Sequence, residues 1–315
     1  MSFDALLGND RLKQNLAESL AKNHISHFYL ISGPKGSGKK TLAMLLAQAF
    51  LCREKSRPCG TCESCRKIRN HNHPDFITVE DPEHKNVAVK IVRQFREDVF
   101  IRPNESDYKI YLFPQDLGIE GQNALLKILE EPPQYGIFLL LTDNPEKILP
   151  TVRSRCTELK LQALPRKTLK TYLAARFPDA APEDLDAAAG RSGGFLGQAL
   201  DLLESGGTVP PQTEALVNAL CARDPLLLTE TLVPMEKWKR DALSEILQSW
   251  LELLEESLAC RSGRPALSPL ARTLSQSRTP SDLYEINCCL KKAADYTASN
   301  VSPAAVCGWL CWALR

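Results

Sequence analysis

Two hydrophobic periods alternate along the first half of the chain. Leu12, Leu16 and Leu20 recur every four residues, which predicts a helix over residues 12–23. His27-Phe28-Tyr29-Leu30-Ile31-Ser32 is a short apolar run of strand length. It leads directly into Gly33 and a helical pattern over 39–51. Strand patterns return at 76–79, 109–113, 136–142 and 157–161, and helical patterns at 89–100 and 121–131. The helix over 121–131 must end at Pro132-Pro133, because a proline ring disfavours helix in the residue before it. Strands that alternate with helices in this way imply a mainly parallel sheet covered on both faces.

After residue 163 the strand signals stop. Short helical patterns broken by Gly190, Gly193, Gly194 and Gly197 lead to Gly206-Gly207 and Pro210-Pro211, a linker pattern. Beyond 212 every stripe is helical, as in Leu243, Ile246, Leu247, Trp250, Leu251 and Leu254. The expected fold class is therefore α/β followed by all-α, divided into residues 1–163, 164–207 and 208–315. Most of the C-terminal stripe is expected in a core, with a minority at an interface.

Charge and length narrow the class. The 315 residues exceed one ordinary core, and 43% hydrophobic with 24% charged is a globular composition. No apolar run approaches the ~18 residues of a membrane span, and Met1-Ser2-Phe3-Asp4 lacks a secretory pattern, so a cytoplasmic protein without membrane contact is expected. A net charge of +1 argues against a protein that grips nucleic acid alone. Any DNA contact would be local or shared with other chains.

Gly33-Pro34-Lys35-Gly36-Ser37-Gly38-Lys39-Lys40-Thr41 carries most of a phosphate-binding loop. Its glycines let backbone N–H groups turn toward an anion, and Lys39 would reach the terminal phosphates. The hydroxyl that should follow Lys39 as a magnesium ligand is replaced by Lys40, which has donors only. Thr41 comes one place late, a turn of ~100 degrees on a helix, and is expected to point away. The strand over 109–113 continues into Pro114-Gln115, where a hydrolase of this type needs carboxylates. Asp116 follows two places late. Nucleotide binding is thus expected to be weak or absent, and intrinsic hydrolysis disfavoured.

Cys59, Cys62 and Cys65, spaced two residues apart with Cys52 upstream, have the short spacing of a structural zinc site. Cys52, His71 and His73 are alternatives for the fourth ligand. The remaining cysteines, including Cys288-Cys289, read as core filling, and Arg66-Lys67-Ile68-Arg69 as the basic face of a solvated helix.

His27 through Cys52, Gln122-Asn123-Ala124-Leu125-Leu126-Lys127-Ile128-Leu129-Glu130-Glu131-Pro132-Pro133, and Ser154-Arg155-Cys156 together resemble the bacterial DNA polymerase III clamp-loader subunits, over roughly residues 1–205. That resemblance implies an AAA+ nucleotide-binding-like domain, a helical lid and a C-terminal collar. It selects Cys52 as the fourth zinc ligand. It also implies a role in DNA replication, within the DNA-directed DNA polymerase holoenzyme, beside gamma/tau motor and delta subunits, with the sliding clamp and primer-template DNA reached through the complex. Pro114-Gln115 in place of the motor's Asp-Glu, Lys40, and the lack of a lid arginine near Gly194–Leu200 look more like the delta-prime kind than the motor. In the family Arg155 would be an arginine finger acting in a neighbour's ATP site. Thr142 would stand where the family senses phosphate. An active gamma/tau-like motor is the alternative.

Overall fold

The computed structural model describes residues 3–84, 86–204, 210–262, 268–299 and 301–314. The expected linker at Gly206-Gly207, and with it the boundary near residue 207, lies outside the described residues. The chain divides into two compact units, one running to Leu202 and the other beginning at Leu203.

In the first unit the order is α1 (Asp10–Ala21), β1 (Phe28–Ser32), α2 (Lys39–Leu51), α3 (Glu63–Arg69), β2 (Phe76–Thr78), α4 (Val89–Asp98), β3 (Lys109–Phe113), α5 (Ile119–Glu130), β4 (Gly136–Thr142), α6 (Pro150–Arg153) and β5 (Thr157–Lys160). The helices α7 (Arg166–Arg176), α8 (Pro182–Arg191) and α9 (Leu196–Glu204) follow. The five strands form one parallel sheet in the order β2-β3-β4-β1-β5.

Strands β1, β3 and β4 are buried along their whole length, because each face is covered by helices. The pleat sends alternate side chains to opposite faces. Tyr29, Ile31, Ile110, Leu112, Ile137 and Leu139 pack with Leu16 and Leu20 of α1, Leu42 and Leu46 of α2 and Ile68 of α3. Phe28, Leu30, Tyr111, Phe113, Phe138 and Leu140 face the other way, onto Val92 and Phe95 of α4, Leu125 and Ile128 of α5 and Val152 of α6. Phe28 and Phe138 stack at 4.4 Å, while Phe95 sets its edge on Tyr111 and Phe113 at 4.7 and 5.2 Å.

Every strand lies within one residue of the expectation. Helix α5 begins at Ile119 rather than 121, because Gly118 caps it and the chain is already turning there. Helix α6 was not anticipated; at one turn it is too short to show a period. The segment Arg66–Arg69 belongs to α3, a helix on which Arg66 and Arg69 are exposed as expected, while its other residues and its partners tie it down. Ile68 is fully buried, Lys67 pairs with Glu63 at 3.0 Å and Glu105 at 2.7 Å, and Arg69 donates to the Gly60 carbonyl at 2.7 Å.

In the second unit, α10 (Pro211–Ala222), α11 (Pro225–Leu232), α12 (Arg240–Arg261), α13 (Pro269–Ser277), α14 (Pro280–Ala298) and α15 (Pro303–Ala313) enclose one core. The whole stripe from Leu243 to Leu254 on α12 is buried, so none of it is left for an interface. Cys307 is fully buried, but Cys288 and Cys289 are only half-buried, which corrects their assignment as core filling. Trp250 is fully buried and donates its indole N–H to Thr213 Oγ1 at 3.0 Å. Trp250→Ala should leave a large cavity and an unpartnered hydroxyl, destabilising this unit by about 3–5 kcal/mol. Urea unfolding followed by circular dichroism measures the loss.

Candidate functional site

The phosphate loop sits where the chain leaves the sheet in opposite directions: β1 crosses to β2 at one edge, and the neighbouring β4 leads to β5 at the other. Open parallel sheets bind ligands at such a point, outside the carboxyl ends of the strands. The parallel register Ser32↔Thr142 places the start of the loop beside the end of β4. Gly36 and Gly38 both lie in the left-handed region, at φ 77° and 95°, and α2 starts at Lys39 with Gly38 as its cap.

Lys39 donates to the carbonyls of Gly33 and Pro34 at 2.6 and 2.9 Å and to Asp143 Oδ1 at 2.5 Å. An ammonium has three donors, so this chain's own oxygens engage all of them. Asp143 was not singled out from the sequence; it follows Thr142 directly, and nothing local marks it. Helix α9 closes on the loop from outside. Gly197 N–H donates to the Gly36 carbonyl at 2.8 Å, and Gln198 Nε2 to the Lys35 carbonyl at 2.9 Å. The approach is so close that a Cβ on Gly197 would lie 2.6 Å from Gly36 Cα. In the stretch from Gly194 to Leu200, where a motor's arginine was sought, the chain presents the Gly197 N–H and the Gln198 amide to the loop.

A cavity of about 420 Å³ opens against the loop, lined by Lys39, Lys40 and Thr41 on one side and by Leu6, Leu164 and Phe195 on another. Thr41 lines this cavity with the other residues of the expected phosphate cradle. Pro114 lines it too, at the end of β3. Gln115 faces elsewhere. Its amide donates to the carbonyls of Asp81 and His84 at 2.9 and 3.0 Å and accepts from Asp81 N–H at 2.7 Å. Asp116 accepts from the Thr142 hydroxyl at 2.9 Å and lies 3.8 Å from the Lys147 ammonium. Thr142 and Asp116 therefore engage each other.

Arg155 lies just beyond α6 and is exposed. Its guanidinium donates to the Thr151 carbonyl at 3.0 Å and to Glu130 Oε1 at 3.4 Å. Both partners of that ion pair are 40% or more accessible, so the pair is weak and readily exchanged. The neighbouring Cys156 thiol is pushed up to about 12 by burial, which keeps it protonated and unreactive.

The sulfurs of Cys52, Cys59, Cys62 and Cys65 lie within 4.8 Å of one another. The Cys52–Cys62 and Cys59–Cys65 separations are 3.8 and 3.9 Å. Four sulfurs about 2.3 Å from a central zinc would stand ~3.8 Å apart, so the donor set fits a closed tetrahedral metal site. Cys62 caps α3 with its sulfur accepting from Cys65 N–H, and Cys62 N–H in turn reaches Cys59 Sγ at 3.3 Å. That bond and one from Thr61 pull the Cys59 thiol down to about 6, while burial raises Cys52 and Cys65. Neither histidine joins the cluster. His71 is exposed, and His73 is buried with Nδ1 accepting from Asp75 N–H at 3.1 Å.

A phosphate loop at the switch point of a five-stranded parallel sheet, with a helical appendage closing on it, defines an AAA+-type module. The sequence model of the family described as "DNA polymerase III, delta subunit" matches residues 8–165. The gamma/tau subunit of DNA polymerase III from Mycobacterium tuberculosis is 36% identical over 177 residues, 55% of this chain and 31% of that protein. The delta′ subunit from Bacillus subtilis is 34% identical over 166 residues, 52% of this chain and 50% of that protein. The chain thus spans half or less of these curated relatives. A gamma subunit-related protein from Thermotoga maritima superimposes with a TM-score of 0.49 at 15% identity, covering 94% of this chain and 98% of that one. This chain belongs to the DNA polymerase III clamp-loader family, whose delta′ and gamma/tau members both match it.

The cluster makes a direct prediction. Purified protein should carry about one zinc per chain by elemental analysis. Cys62→Ser should lose it and loosen residues 52–69, read as faster amide exchange there.

Proposed function

We propose that the chain is a non-hydrolysing, delta-prime-type subunit of the DNA polymerase III clamp loader, and that Arg155 works as an arginine finger in the ATP site of a neighbouring motor subunit. One observation carries the reading: the end of β3 offers the cavity Pro114, and Gln115 is committed to the 81–84 segment, while Arg155 stands exposed on a loosely held guanidinium. Metal-assisted hydrolysis needs a carboxylate at the strand end to organise magnesium, and usually a second group to orient water. A proline ring and an engaged amide supply neither. A guanidinium entering a neighbour's site stabilises charge spreading over the transferring phosphoryl oxygens, and needs no chemistry in its own chain.

The other parts follow this reading. The chain assembles with gamma/tau motor and delta subunits, and meets the sliding clamp and primer-template DNA through that complex in the cytoplasm. Residues 164–207 serve as lid and 208–315 as collar. Among the described residues no helix is long and apolar enough to cross a membrane. Cys52, Cys59, Cys62 and Cys65 hold a structural zinc ion, which with four thiolates has no open position for catalysis. Gly33, Gly36, Gly38, Lys39, Lys40 and Thr41 keep the outline of a phosphate cradle that binds ATP weakly or not at all. The competing reading, an active gamma/tau-like motor, needs Asp116 as the metal carboxylate, but Asp116 is engaged by Thr142 and Lys147.

Reconstitution tests the proposal. In a complex with motor and delta subunits, Arg155→Ala should lower DNA-stimulated ATP turnover by on the order of 10³ at the site it enters, with assembly intact. The isolated chain should show no turnover that Lys39→Ala abolishes. Unchanged turnover in the first experiment, or Lys39-dependent hydrolysis in the second, would refute the assignment.

A further inference from the structure

Gln122 is a polar side chain in an otherwise apolar layer, and it is 1% exposed. Its amide is fully used. Nε2 donates to the carbonyls of Leu117 and Lys147 at 2.8 and 3.0 Å, and Oε1 accepts from Leu149 N–H at 2.7 Å. Two of these three partners lie on the segment that leads to Arg155. Leu149 is the cap of α6. Its carbonyl accepts from the N–H groups of Val152 and Arg153 at 3.0 and 2.9 Å, and Arg155 N–H donates to the Val152 carbonyl at 3.1 Å. From Leu149 to Arg155 the backbone is one hydrogen-bonded unit, and Gln122 holds the end at which it begins. The other end of α5 reaches the same unit, through Glu130 Oε1 on the Arg155 guanidinium.

We propose that Gln122 is the positioning residue for Arg155: α5 fixes the finger segment at its root through Gln122 and steadies the guanidinium at its tip through Glu130. The inference rests on the arginine-finger reading above. The physical argument is one of reach. A finger acting in trans must place a long, flexible side chain correctly in a site its own chain does not build, so the backbone that carries it has to be rigid. A misplacement of about 1 Å can cost on the order of 10²-fold in rate. Apolar packing through Ile148 and Val152 sets the depth of the segment, but packing is not directional. The two bonds that join Gln122 to Lys147 and Leu149 fix its register along α5, because the Gln122 amide is buried and cannot surrender its partners cheaply.

Gln122→Met keeps the volume and removes all three bonds. In the reconstituted complex it should lower kcat for DNA-stimulated ATP turnover by about tenfold with KM for ATP unchanged, since the substrate is bound by another chain. In an Arg155→Ala background the same substitution should change nothing further, because there is no finger left to misplace. A purely structural role predicts equal losses in both backgrounds. That result, or full activity of Gln122→Met, overturns the proposal. Should Gln122→Met fail to fold, Glu130→Ala at its exposed position carries the test, with about a threefold loss expected in the Arg155 background alone and no loss overturning the idea. If Arg155→Ala itself leaves turnover unchanged, the finger reading has failed; if Arg155→Ala lowers turnover and the α5 variants do not, only the present inference has.

Discussion

The parallel pairing of β1 with β4, and of β4 with β3, is the constraint on which everything else at the site depends. With Ser32 opposite Thr142, and Phe113 opposite Leu140, the carboxyl ends of three buried strands are brought into one row. The phosphate loop continues from the first, Asp143 from the second, and Pro114 from the third. Slipping any strand by one residue would exchange the two faces of its side chains and put Phe138 and Tyr111 into the layer occupied by Leu139 and Leu112. The aromatic stack of Phe28, Phe138 and Tyr111 on one face, and the aliphatic layer on the other, make such a slip very costly.

Given that row, retention and loss at the site can be separated physically. The loop, its glycines and Lys39 are retained, but their hydrogen-bonding capacity is turned inward. Lys39 is saturated by Gly33, Pro34 and Asp143, and Gly36 is covered by Gly197. A phosphate arriving here must displace these contacts and approach the Asp143 carboxylate, which adds like-charge repulsion to the exchange. Gln115, at the end of β3, is committed away from the cavity. With two donors and an acceptor it holds the 81–84 segment, a set of bonds that a carboxylate, having acceptors only, could not make.

Much of this was legible in the sequence, and what was not has identifiable reasons. The strands are short uninterrupted apolar runs bounded by glycine, proline or charge, and each was placed to within a residue. The cysteine spacing announced a metal site, and the four sulfurs do converge while His71 and His73 stay out. What failed to show was anything carried by a single contact between distant segments. Asp143 gains its importance from Lys39, 104 positions away, and Gln122 from Lys147 and Leu149. The ion pair of Lys67 was hidden for the same reason, since its partner Glu105 comes from a remote loop.

Helix α2 joins the two chemistries of the first unit. Lys39 stands at its first residue, and Cys52 is the residue that caps its end. A helix of 13 residues spans about 20 Å and transmits displacement rather than absorbing it. Its buried face from Leu42 to Leu51 is packed against the sheet, so α2 can move only by dragging the core with it. The four-cysteine cluster ties its C-terminal end to the start of α3, and α3 in turn is seated by the buried Ile68. A chain that contributes an arginine to another subunit's reaction gains from such stiffness. The four-cysteine cluster closes α2 at one end and the sheet holds it along its length; under the proposed arginine-finger role, this gives α5 on the opposite face an unyielding layer from which to carry the Arg155 segment.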